Sequence, residues 1–277
     1  MHAEEFLHVG GLRLHVAQAG TGPAVLLLHG FPDSLRLWRE IAPRLVAGGY
    51  RVVSIDQRGF GASGAPAERR HYHIDRLVED VVEVLGALGI VEPVHVIGHD
   101  WGAVVTWSLA MARPQLLGSA VVISVGHPRE YALAGLEQKR KGLYVLGWQF
   151  RGIAERWLEA RDWTRMRHWL RQHPDPESCL RDLARPGRLT AGLNWYRANL
   201  GQVLTRAWPP CRVPMLGLWG SEDHCLAEDQ MARSGRRMAA PWEYERIEDA
   251  GHWLPLERPD RVAALAIDWF RHHRSSA

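Results

Sequence analysis

At 277 residues, 46% hydrophobic and 23% charged, the chain is long enough for one large core with an insertion and too apolar to be disordered. A formal net charge of +3, spread except for short clusters such as Lys139-Arg140-Lys141 and Arg236-Arg237, excludes a nucleic-acid-binding stripe. Cys179, Cys211 and Cys225, an odd number without C-x-x-C spacing, exclude a disulfide framework and a zinc site.

Residues 6–9 and 12–19 flank Gly10-Gly11, which reads as a two-residue hairpin turn and an antiparallel edge. Residues 24–28 are a short continuous apolar run of the kind found in buried parallel strands, ending at His29-Gly30-Phe31-Pro32. A strand at 51–56 leads into a glycine-rich loop at 57–63, and Leu77, Val81, Leu85 and Leu88 mark one face of a helix. Val94, Val96 and Ile97 give a strand at 94–98, which runs through Gly98-His99-Asp100-Trp101-Gly102 into an apolar helix at 103–111. Another strand follows at 119–125. From about residue 127 to residue 212 the chain turns rich in Trp, Arg and Leu at helical spacing. Strands resume at 213–219 and 242–247, and a helix at 262–270 closes the chain.

Strands alternating with helices predict an α/β fold, a mostly parallel sheet flanked by helices with a helical cap inserted after the sixth strand. The expected division is core at 1–128 and 213–277 and cap, or lid, at 129–212. Ligands in such sheets sit beyond the carboxyl ends of the strands, where every candidate catalytic loop begins. The amino terminus lacks a basic region followed by a long apolar run, and no segment has the length of a membrane span. A soluble, cytoplasmic protein is expected. All basic residues but Lys139 and Lys141 are arginine, the usage of a GC-rich bacterial coding sequence.

Residues 98–102 have the spacing of the G-x-S-x-G nucleophile elbow, in which glycines let the backbone pack closely around a strained residue. Asp100 stands where the serine would be. A carboxylate is ionised near neutral pH and needs no base before it attacks, which suits a saturated, electrophilic carbon. The product is an alkyl ester, hydrolysed by histidine-activated water through a tetrahedral oxyanion. Such chemistry opens epoxides or displaces halide; the motif alone is read as well as a turn whose Asp caps the helix.

Gly220-Ser221-Glu222-Asp223 and Ala250-Gly251-His252-Trp253 both follow strands, giving the chain order nucleophile, acid, histidine. Asp223 is the expected acid, with Glu222, Asp229 and Asp249 as rivals, and His252 the expected base. The N–H groups of Trp101, after the nucleophile, and Phe31, in the early loop, are the expected oxyanion hole.

With these residues the chain resembles the α/β-hydrolase superfamily and, within it, the soluble epoxide hydrolases. The H-G-F-P loop, the G-x-D-W-G elbow, the G-x-x-D turn and the late G-H pair occur here in that family's order, so the likeness covers nearly the whole chain. The resemblance implies two cap tyrosines that protonate the epoxide oxygen. It places one in Asn194-Trp195-Tyr196-Arg197 and the other at Tyr144, four residues before Trp148-Gln149, with Gly152 and Glu155 completing the motif. Tyr196 shares a helical face with Leu189, Leu193 and Leu200, so core packing is its competing reading.

Haloalkane dehalogenases share the aspartate and the tryptophan after it, but commonly carry a halide-binding donor where this chain has Phe31. Fluoroacetate dehalogenases carry an arginine beside the nucleophile, absent here, and Asp100 disfavours a serine esterase. A non-catalytic ligand-binding homologue is the remaining alternative. The expected activity is hydrolysis of a small apolar epoxide to a vicinal diol, with no cofactor and no metal. Catalytic residues are Asp100, His252, Asp223, Tyr144 and Tyr196, and Phe31, Pro32, Trp101 and Trp195 are expected to contact substrate. No nucleic acid or membrane partner is expected, and the protein is expected to be a monomer or homodimer.

Overall fold

The computed structural model describes residues 3–273. Eight strands form one sheet in the order β1-β2-β4-β3-β5-β6-β7-β8. They are β1 (Ala3–Val9), β2 (Leu12–Ala19), β3 (Ala24–Leu28), β4 (Arg51–Asp56), β5 (Val94–His99), β6 (Leu117–Ile123), β7 (Met215–Gly220) and β8 (Trp242–Ile247). β1 and β2 form the antiparallel hairpin, and β2 pairs antiparallel to β4; every other pairing is parallel. Gly10 and Gly11 have φ of 55° and 72°, the left-handed backbone that a two-residue turn between twisted strands demands. This is the mostly parallel, helix-flanked sheet expected.

The central strands β3, β5, β6 and β7 are buried almost throughout, which is why they are mostly apolar on both faces, with His95, His99 and Ser119 as the polar exceptions. Against the sheet lie α1 (Ile41–Ala47), α2 (Ile74–Ala87) and α3 (Trp101–Ala112). Between β6 and β7 come six helices: α4 (Pro128–Leu133), α5 (Leu136–Lys141), α6 (Leu143–Trp148), α7 (Ile153–Trp169), α8 (Pro176–Leu183) and α9 (Arg188–Thr205). Helix α7 is broken at Ala160–Trp163, where Arg161, Asp162 and Trp163 take positive φ. The chain ends with α10 (Glu228–Ala232), α11 (Leu254–Glu257) and α12 (Pro259–His272). The strand expected at 119–125 begins two residues earlier, and that expected at 213–219 begins at Met215. Among the described residues no helix is long and apolar enough to cross a membrane.

Candidate active site

The end of β5 sets the geometry. Asp100 has φ 51° and ψ −119°, a conformation that non-glycine residues avoid and that lifts the side chain off the strand end at the start of α3. The turn closes because its neighbours lack side chains. A Cβ on Gly102 would lie 1.9 Å from the Leu28 carbonyl oxygen, and one on Gly98 would lie 2.5 Å from the Gly102 carbonyl oxygen. A Cβ on Gly30 would collide with the Asp100 carboxylate, so the H-G loop can also approach only as glycine.

Asp100 Oδ1 accepts a hydrogen bond from the Phe31 N–H at 2.8 Å, and the Trp101 N–H also supports the carboxylate. Oδ2 lies 3.8 Å from Nε2 of His252. His252 Nδ1 is 2.8 Å from Asp223 Oδ2, while Asp223 Oδ1 accepts from the N–H groups of Cys225 and Leu226 at 2.8 and 2.9 Å. Both oxygens of the acid are thus fixed, and the imidazole points Nε2 at Asp100. The rivals lie elsewhere: Glu222 and Asp249 are exposed, and Asp229 pairs with Arg233.

Burial raises the Asp100 carboxyl to about 6, against the lowering pull of His252 and the two N–H groups. Burial alone would depress His252; the carboxylates of Asp223, Asp100 and Asp33 reverse that and lift it to about 9. Asp223 is held below the usual carboxylate range: burial pushes it up, and the imidazole and the two N–H groups overcome it. At neutral pH the site therefore holds an ionised Asp100 beside an imidazolium.

Asp100 and Trp101 open onto a pocket of about 610 Å³, mouth included, otherwise lined by Val104, Val125, Pro128, Tyr131, Tyr144, Val145, Tyr196, Leu200, Val203 and Leu226. Apart from Asp100 and the three phenols the wall is apolar. Tyr196 stands edge-on to Trp101, with ring centroids 5.1 Å apart, and Tyr144 is 6.3 Å from Tyr196. Burial pushes both phenols well above their usual range, so they remain O–H donors.

The two tyrosines come from different helices, α6 and α9, and Arg197 of α9 ties both α6 and α7 to its own helix. Arg197, beside Tyr196, donates to both Glu155 oxygens at 2.7 and 3.0 Å and to the Trp148 carbonyl at 2.7 Å, at the end of the helix carrying Tyr144. Glu155 also accepts from the Gly152 N–H at 2.7 Å. Trp148 packs on Tyr144, Tyr196 and Phe31, with centroids 4.5, 4.9 and 5.3 Å away.

Three residues expected to contact substrate, Trp195, Pro32 and Phe31, stand away from the pocket wall. Trp195 is fully buried, donates Nε1 to the Arg58 carbonyl at 3.0 Å and packs behind Trp101 and Phe60. Pro32 faces a small cleft beside Asp33, Cys179 and Asp182. Phe31 is buried in the aromatic cluster and reaches Asp100 through its N–H. Leu200, on the helical face of Tyr196, lines the pocket with it, while Tyr131, Val125, Val203 and Leu226 line it without forming any motif, and no sequence signal singles those four out.

A support network likewise escaped the sequence reading. Ser124 Oγ and His99 Nε2 donate to the His252 carbonyl at 3.0 and 2.9 Å. Lys141 Nζ donates to the Asp223 and Leu226 carbonyls at 2.8 and 2.6 Å, tying α5 to the acid's loop. Asp33 accepts from Trp253 Nε1 and from His173 Nε2, each at 3.1 Å. Asp33, His173 and Cys179 are close enough to share a metal ion, but His173 Nδ1 accepts from the Asp175 N–H at 2.8 Å, which places the ring proton on Nε2 and turns that nitrogen into a donor. A second such group, Asp223, Cys225 and His252, has its imidazole already committed between two carboxylates.

The α/β hydrolase fold family matches residues 23–259. Epoxide hydrolase A of Mycobacterium tuberculosis is 33% identical over 312 residues, covering 96% of each chain. AB hydrolase superfamily protein YfhM of Bacillus subtilis is 32% identical over 281 residues, covering 97% of this chain and 98% of its own. Among solved structures, epoxide hydrolase A from Mycobacterium thermoresistibile superposes with a TM-score of 0.83 at 30% identity, over the full length of both chains. With this sheet order, an aspartate at the elbow and relatives matched end to end, the chain belongs to the α/β-hydrolase fold family and, within it, to the epoxide hydrolases.

Proposed function

We propose that the protein hydrolyses an apolar epoxide to a vicinal diol through an alkyl ester on Asp100, with the helices of residues 129–212 acting as the lid over the site. The observation that carries this reading is an ionised carboxylate facing two phenols across one apolar pocket, with a histidine–aspartate pair behind it. Oδ1 is occupied by the Phe31 N–H, so Oδ2 is the free oxygen that attacks the epoxide carbon. The carbon–oxygen bond breaks, and the developing alkoxide takes a proton from Tyr144 or Tyr196. This help matters because an alkoxide is a poor leaving group.

Ester formation removes the negative charge of Asp100, one of the charges that raised His252. The imidazolium then loses its Nε2 proton more readily, and this proton replaces the one lost by the phenol, so that Nε2 becomes a base while Asp223 keeps the remaining proton on Nδ1. Nε2 takes a proton from water, whose oxygen attacks the ester carbonyl. The oxyanion forms on Oδ1, against the Phe31 and Trp101 N–H groups, and its collapse frees the diol and restores Asp100. The departing alkoxide takes the proton of the new carboxyl group, so the cycle ends with the phenol, imidazolium and carboxylate with which it began. Water is the only co-substrate this scheme consumes.

The test is intact mass and peptide mapping of a His252→Gln variant mixed with an aryl epoxide. The expected result is a gain equal to the whole epoxide, located on Asp100. A folded variant that gains nothing from the epoxide and is alkylated by a haloalkane would replace this reading with a dehalogenase.

A further inference from the structure

The helical insertion has an outer side as well as an inner one. On its inner side Val145 and Trp148 of α6, with Ala154 and Leu158 of α7, are buried. On the other side Leu136, Leu143, Leu146, Phe150, Ile153 and Trp157 are between 52% and 69% exposed. Leu143 and Leu146 within α6, and Ile153 and Trp157 within α7, stand three and four residues apart, the interval that keeps side chains on one side of a helix, and Phe150 lies in the turn between them. Elsewhere among the described residues only Phe6, Val91 and Leu133 are large apolar side chains left exposed, and Leu133 adjoins the same segment. Single exposed apolar side chains are ordinary on a protein surface; a run of six along three consecutive helices and the turn at Phe150 marks an interaction surface.

The charge around this stripe selects its partner. Lys139, Arg140, Arg151 and Arg156 are exposed, interleave with the apolar residues and form no ion pair among the described residues. Arg165 lies over the Trp157 ring, 4.8 Å from its centroid. Residues 129–171 hold ten Lys and Arg against five Asp and Glu, whereas the whole chain nets only +3. The positive charge of the protein is thus concentrated where its apolar surface is. A second copy docking here would press two basic rims together. An anionic bilayer neutralises the rim and accepts Leu, Ile, Phe and Trp at the depth where amphipathic helices lie.

We propose that the outer face of α5, α6 and the start of α7 docks on a membrane surface carrying anionic headgroups. It lies on the surface and crosses nothing. The docking is independent of the reaction, because none of these side chains lines the pocket. Its consequence is that an apolar substrate dissolved in lipid is met where it partitions.

Flotation of the full-length protein with phosphatidylcholine vesicles, with and without phosphatidylglycerol, tests this. The expected result is partition onto the phosphatidylglycerol vesicles that weakens as salt rises. It should fall about ten-fold or more in both Phe150→Ser/Trp157→Ser and Lys139→Glu/Arg140→Glu variants, with Tm and turnover of a water-soluble epoxide unchanged. No partition of the wild-type protein at low salt overturns the proposal. So does partition that survives the Lys139→Glu/Arg140→Glu change. A concentration-dependent dimer abolished by Phe150→Ser/Trp157→Ser, without vesicle binding, would instead make the stripe a self-association face and overturn it equally.

Discussion

Replacing Asp223 by Asn separates the two chemical steps. Two backbone N–H groups, from Cys225 and Leu226, converge on Oδ1, and only an oxygen can receive them. The amide oxygen must take that place, which turns the NH2 toward His252 Nδ1, 2.8 Å away from the atom it replaces. Nδ1 becomes an acceptor, and the ring proton moves to Nε2, the nitrogen that has to receive a proton from water. Inverting a catalytic imidazole in this way costs about 10³–10⁴ in rate, or about 4–5.5 kcal/mol at 1.36 kcal/mol per decade. Attack by Asp100 needs no base, so ring opening should proceed while ester hydrolysis stalls. Single-turnover mixing with an aryl epoxide, followed by intact mass, should show alkyl-enzyme accumulating at close to the wild-type rate as kcat falls. Glu222→Gln and Asp229→Asn should leave both steps untouched. A folded Asp223→Asn variant with kcat within about ten-fold of wild type, or one that never accumulates the ester, refutes the reasoning.

Tyr144→Phe and Tyr196→Phe should each slow ester formation, by about 10²-fold or more when combined, without changing ester hydrolysis; a double variant that alkylates at the wild-type rate would return both rings to packing roles. The carboxyl of Asp100 sits near 6, so protonation removes the nucleophile as pH falls through that value. The expected kcat/KM profile has an acid limb near pH 6, and a profile flat to pH 4 contradicts it. Glu155 is a structural counterpart. Burial would raise its carboxyl, but the Arg197 hydrogen bonds hold it at about 2, against an ordinary value of 4.5. A depressed carboxylate stabilises the fold above its unfolded pKa, and that contribution disappears as pH falls from 4.5 through about 2. The shift corresponds to about 3 kcal/mol at neutral pH, so Glu155→Gln should lose about that much in urea unfolding at pH 7 and less than about half of it at pH 3. An equal loss at both pH values would assign the effect to packing.

Helix α9 shows how far a motif carries. Asn194-Trp195-Tyr196-Arg197 marks the segment, yet its four side chains do four different things. Tyr196 lines the pocket, Trp195 buries its indole against Arg58 and Phe60, Arg197 clamps Glu155, and Asn194 turns toward the Ala67 carbonyl and Arg197. Adjacent residues on a helix point about 100° apart, so only the packing of α9 against its neighbours decides which one meets the pocket. The same holds for Phe31 and Pro32, where a backbone N–H serves the carboxylate and the adjacent ring faces a different cleft.

The elbow was legible from the sequence because its cause is local. A strained residue at a strand end needs glycines beside it and β-branched residues before it, and 94–102 states all of these in one stretch. The buried parallel strands were equally legible, since burial on both faces removes alternation. The identity of the residue touching His252 was decided in the tertiary structure, where Glu222 and Asp249 project into solvent and Asp229 meets Arg233. So were the joining of α7 to α9 through Glu155 and Arg197 and of α6 to α9 through Arg197 and the Trp148 carbonyl, the bracing of the acid's loop by Lys141, and the apolar wall built from five separate stretches of chain. These contacts join residues tens to more than a hundred positions apart. No periodicity or spacing within one segment encodes them, because they exist only once the sheet has set where each helix lies.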